Sequence, residues 1–128
     1  METPGPDAMT VQLHLRVYRG AEAALGPGRA ELLARIGVTA SVAQAARDMG
    51  MSYMKAWKLM QSMNGCFREP LIEVQRGGKG GGTARLTPTG HAALASYRQM
   101  ERECESVIRS QEGRMAALIR EEKLPPPT

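Results

Sequence analysis

Residues 41–60 read SVAQAARDMGMSYMKAWKLM, and residues 71–90 read LIEVQRGGKGGGTARLTPTG. The first stretch predicts two short helices around a tight turn. Ser41 is a good N-cap, and Gln44 three residues later fits a capping box. The helix it opens buries Val42, Ala45, Ala46 and Met49. Gly50 suits the positive φ of a C-cap. Ser52 caps the second helix, whose inner stripe is Ala56, Leu59, Met60 and Met63, and Asn64-Gly65 stops it. The second stretch predicts a β-hairpin. Leu71 to Arg76 places Ile72 and Val74 on one face, and Thr83 to Leu86 answers with Ala84 and Leu86. Between them, residues 77–82 are all glycine except Lys79. Thr87-Pro88 then opens another helix, with proline at the first helical position, where its missing N–H costs nothing.

Working outward, residues 1–10 are polar, contain Pro4 and Pro6, and read as a disordered lead. Val11 to Tyr18 alternates strictly, with Val11, Leu13, Leu15 and Val17 on one face, which predicts a half-buried strand. Gly26-Pro27-Gly28 is a breaker, and Arg29 to Ile36 follows at helical spacing. Downstream, residues 91–122 read as one long helix. Leu94, Tyr97, Cys104, Ile108, Met115 and Leu118 form a heptad-like stripe, interrupted by Glu101 and Gln111. Such a stripe suits packing on a partner helix, hence dimerisation; a single amphipathic helix lying back on its own domain is the other reading. Gly113 marks an end or a kink, since glycine weakens a helix by about 1 kcal/mol. Residues 123–128, rich in proline, read as a disordered tail. The expected organisation is thus one domain over 11–90 with an appended helix.

The net charge of +4 is modest, but its distribution is uneven. Residues 41–87 hold seven basic residues against three acidic, whereas 97–123 hold six of each. A basic excess on one segment is the footprint expected for phosphates, and also that of an ordinary solvated surface. Nine methionines supply adaptable core filling. The two cysteines are too few for a disulfide framework, no apolar run nears the roughly 20 residues of a membrane span, and no signal-peptide pattern opens the chain. A reduced, cytoplasmic protein is expected.

Together the helix pair and hairpin predict a winged helix-turn-helix: mainly α with a small β-sheet and a long C-terminal dimerisation helix. Ala45, Ala46, Gly50 and Ala56 keep the helix crossing free of bulk. The second helix then suits the major groove. Its outward positions are Ser52, Met54, Lys55, Lys58 and Gln61, with Tyr53 near the edge. Met54 suits a thymine methyl and Gln61 an adenine; Lys55 and Lys58 suit phosphates or guanines, and Gln44 and Arg47 phosphates. In the hairpin, Arg76, Lys79 and Arg85 suit the backbone or minor groove, with a flexible linker as the plainer reading of the glycines. A phosphate-binding P-loop fails, because Lys79 is followed by Gly80 and Thr83 opens a strand. His14 and His91 lie near no cysteine pair, so no zinc site is expected. Trp57 reads as packing. No catalytic arrangement is visible, so neither enzyme activity nor a cofactor is expected.

The segment SYMKAW, the Met63-Asn64 helix end, SVAQAARDMG and above all RGGKGGGTARLTPTG resemble the N-terminal DNA-binding domain of ModE-type molybdate-responsive regulators. The resemblance covers roughly residues 11–100. It implies a winged-helix dimer on palindromic DNA, with recognition-helix and wing roles at Ser52, Tyr53, Lys55, Lys58, Arg76, Lys79 and Arg85. Met54 stands where the family suggests a more polar residue. Molybdate-sensing members carry C-terminal oxyanion-binding domains, and this chain ends before one begins, so molybdate binding is not expected here. The expected function is a sequence-specific transcriptional regulator acting as a homodimer on double-stranded operator DNA. The alternative is a sensor-less interaction module that pairs with a full-length regulator.

Overall fold

The computed structural model describes residues 5, 7–76, 82–122 and 124–127. In chain order they form β1 (Val17–Arg19), β2 (Glu22–Leu25), α1 (Pro27–Thr39), α2 (Val42–Asp48), α3 (Tyr53–Cys66), β3 (Ile72–Gln75), β4 (Thr83–Leu86) and α4 (Pro88–Ala116). β1 pairs with β2, and β3 with β4, each as an antiparallel pair. Contacts divide the chain into two units: His14–Met100, and the described residues of 1–13 together with those of 101–128.

Local chemistry sets the helix ends. Pro27 sits in the first turn of α1, and Ala40 closes it in the left-handed region at φ 56°. Ser41 Oγ accepts from the Gln44 N–H at 3.0 Å to start α2. The return half of the capping box is not made, because the Gln44 side chain donates to Asp48 Oδ1 and accepts from Arg47, both at 2.8 Å. Gly50 takes φ +66° in the turn, where a side chain would be strained. Ser52 Oγ then accepts from the Lys55 N–H at 3.1 Å to open α3.

The core of the larger unit joins Leu32, Leu33 and Ile36 of α1, Ala45 and Ala46 of α2, Ala56, Met60 and Met63 of α3, Leu71, Ile72, Ala84, Leu86 and Tyr97. Burying each large aliphatic side chain contributes about 1.5–3 kcal/mol. The alanines let α2 and α3 pack closely. Ala84 N–H donates to Ala40 O at 2.9 Å, tying β4 to the end of α1. Thr87 Oγ1 donates to Pro70 O at 2.6 Å and accepts from the Gly90 N–H at 2.9 Å, which fixes the start of α4 against the start of β3.

Several expectations are corrected. Val11 to Tyr18 is not a strand along its length. Leu13, Leu15 and Val17 are half-buried between exposed neighbours, but only Val17–Arg19 pairs. The single small sheet becomes two. Gly20, at φ +62°, folds β1 back onto its immediate neighbour β2, so the N-terminal strand does not join β3 and β4. Four helices with two separate two-stranded sheets therefore replace the winged helix-turn-helix description. α3 does not stop at Asn64-Gly65 but runs to Cys66. Asn64 instead turns its side chain to the next element: Oδ1 accepts from the N–H groups of Leu71 and Ile72 at 2.8 and 3.1 Å, and Nδ2 donates to Ile72 O at 3.1 Å. Val74 does not join Ile72 inside; it is exposed. The glycine-rich tip around Lys79 lies outside the described residues.

α4 is long, but its stripe does not form one free face. Tyr97 is fully buried, and its hydroxyl donates to Leu15 O at 2.8 Å. Leu94, Cys104 and Ile108 are half-buried, Met115 is exposed, and exposed Leu118 lies past the helix end. Gly113 sits within the helix. Tyr97 is thus committed to its own chain and is unavailable to a partner helix.

Candidate anion-binding cleft

Most residues expected to touch DNA lie on the exposed side of α3: Ser52, Tyr53, Met54, Lys55, Lys58 and Gln61. Tyr53 stacks on half-buried Trp57 with ring centroids 6.2 Å apart. Arg76, just past β3, shares a cavity with Tyr53, Met54 and Trp57. Arg85 lies on β4 and pairs with Glu73 at 3.1 Å. On α2, Gln44 and Arg47 bond to one another. These groups therefore do not form one array.

The structure gathers Arg29, Ser52, Met54, Lys55, Lys58, Leu59 and Ser62 around a cleft of about 480 Å³ between the start of α1 and α3. A neighbouring cavity of about 270 Å³ shares Arg29, Lys55 and Leu59, and adds Arg16 and His14 at its wall. Among the described residues, no aspartate or glutamate lines either cavity. Glu22 lies close by, accepting from Ser62 Oγ at 2.8 Å, so that hydroxyl is already committed.

Arg29 is the unusual member. Its Nε is buried and has no hydrogen-bond partner among the described residues. An orphaned buried donor costs about 1–3 kcal/mol, more when charged, so the site gains if an anion supplies the acceptor. Among the described residues, Arg16, Arg29, Lys55 and Lys58 form no ion pair, whereas Arg35 and Arg98 pair with Glu31 and Arg85 with Glu73. The Glu31 hydrogen bond and charge hold the exposed Arg35 guanidinium above its ordinary pKa. The opening turn of α3 adds to the cleft's polarity. The Ser52 cap engages its Lys55 N–H, and the helix dipole favours negative charge at this end.

Lys55 and Lys58 lie on the exposed side of α3 and Ser52 is exposed at its cap, as their outward positions in the sequence predict, whereas in the sequence Arg29 marks only a helix start. A usable signal was present. Arg29 lies in the first turn of α1, which holds no acidic residue, and the dipole there disfavours a cation. Among the described residues no group of His, Cys, Asp or Glu is placed to hold a metal, and no helix is long and apolar enough to cross a membrane.

No protein-family model matches the chain. It is similar to the molybdenum-pterin-binding protein MopB of Rhodobacter capsulatus, at 44% identity over 79 residues, 62% of this chain and 29% of the relative. The molybdenum-pterin-binding protein MopA of the same organism is 37% identical over 87 residues, 68% of this chain and 33% of the relative. The DNA-binding transcriptional dual regulator ModE of Escherichia coli (strain K12) is 41% identical over 71 residues, 56% of this chain and 27% of the relative. The chain spans a third or less of the length of these relatives.

These matches correct the expectation about the ligand. The resemblance implies the DNA-binding domain of ModE-type regulators, with no molybdate binding expected. The two longer of these matches are to proteins named for binding molybdenum-pterin. That finding overturns four expectations: membership of that domain, the homodimeric regulator on operator DNA, the sensor-less interaction module, and the absence of molybdate binding.

Proposed function

We propose that this chain binds a molybdenum species, as free molybdate or as part of a molybdenum-pterin compound, and does so in the cytoplasm. The observation that carries the reading is the pair of matches to molybdenum-pterin-binding proteins, at 44% and 37% identity over 79 and 87 residues. Physically, the unpaired cations at the cleft are compatible with an oxyanion ligand. The role proposed is binding and not catalysis.

The test is metal content. The full chain is produced in cells supplied with molybdate, purified by gentle desalting, and assayed for molybdenum by mass spectrometry. Molybdenum that co-purifies in proportion to protein, and that tungstate but not sulfate displaces, is the expected result. Molybdenum at the level of an unrelated basic protein overturns the proposal.

A further inference from the structure

We infer that the Arg29–Lys55–Lys58 cleft is the seat of a tetrahedral oxyanion, either free molybdate or the phosphate group of a larger ligand. The inference builds on the molybdenum reading and names a site for it. Three observations converge. Arg29 Nε is a buried, permanently charged donor without a partner. Lys55 and Lys58 face the same cleft from α3, neither in an ion pair among the described residues. The cleft also borders Ser52, the N-cap of a 14-residue helix, where backbone N–H groups favour anions. Glu22 is the opposing charge nearby; it accepts from Ser62 and forms no ion pair with either lysine among the described residues.

A tetrahedral dianion suits this set. One oxygen accepts from the Arg29 guanidinium and a second from a lysine ammonium, charge-assisted bonds stronger than neutral ones. Lys55 and Lys58 lie three apart on α3 and so present their ammonium groups on one side. Arg29 differs in kind, because its planar, always-charged group presents a fixed N–H direction.

The test is a nuclear magnetic resonance titration of the full chain, following the Arg29 Nε–H and the amides of residues 52–55. Separate arms use sodium molybdate, inorganic phosphate and a short DNA duplex. The seat predicts saturable shifts at both places, and about tenfold weaker binding in Arg29→Gln, the loss of one charge-assisted bond. Lys55→Gln, at an exposed position, provides a second variant if Arg29→Gln fails to fold, and it too weakens binding.

The outcomes separate the claims. If wild type binds molybdate and neither variant weakens it, the seat is refuted while the molybdenum reading stands. If phosphate binds here and molybdate binds nowhere, the molybdenum reading falls while the seat stands. If only the duplex shifts these residues, both are overturned.

Discussion

Replacing Asn64 by alanine removes the clasp between α3 and β3. Its amide makes three hydrogen bonds: from the Leu71 and Ile72 N–H groups, and to Ile72 O. Each is worth about 0.5–1.5 kcal/mol net, so their loss costs about 3 kcal/mol in total. Leu71 and Ile72 are buried, at 0% and 2% exposure, so water does not readily replace the missing acceptor. Asn64→Asp keeps the acceptor for both N–H groups and loses one donor, so it costs about 1 kcal/mol. Urea unfolding followed by the single tryptophan, Trp57, measures both. At this chain length, 3 kcal/mol lowers the thermal midpoint by roughly 10 °C. The denaturant slope stays unchanged, since the surface exposed on unfolding is the same. An Asn64→Ala protein within about 0.5 kcal/mol of wild type refutes the clasp.

Three further substitutions probe the frame. Tyr97→Phe deletes the hydroxyl that donates to Leu15 O and costs about 1 kcal/mol in chemical denaturation. Gly90→Ala drives a Cβ into the Leu71 carbonyl, where backbone lies on both sides; it costs about 3 kcal/mol or prevents folding, read by circular dichroism and thermal melting. Ala40→Gly relieves a left-handed alanine at φ 56° and, after the entropy cost of glycine, raises stability by up to about 1 kcal/mol in the same melt.

The parts legible in the sequence are those governed by neighbours along the chain. Ser41 and Ser52 are caps, and Gly50 turns between their helices, because each answers a backbone demand within three or four residues. Thr83 to Leu86 and the Pro88 helix start are legible for the same reason. What failed depended on distant partners. Asn64-Gly65 predicts a stop because asparagine and glycine weaken helices, yet the partners of the Asn64 side chain lie seven and eight residues on. Alternating burial holds from Leu13 to Tyr18, with Val11 exposed, but alternation does not say which strand, if any, will supply hydrogen bonds. Tyr97 follows the stripe spacing that suits a partner helix, while its hydroxyl reaches back 82 residues in the same chain. At the cleft, Lys55 and Lys58 were visible as outward cations. Arg29 shows locally only as a cation in the acid-free first turn of α1; that its Nε is buried without a partner arises when α1 and α3 pack together.

Direct calorimetric titration of the intact chain with sodium molybdate, beside a matched titration with sodium sulfate, tests the central claim. Saturable heat for molybdate that exceeds the sulfate response is the predicted result. Molybdate heat no larger than that of sulfate, from a chain that is folded by circular dichroism, contradicts it.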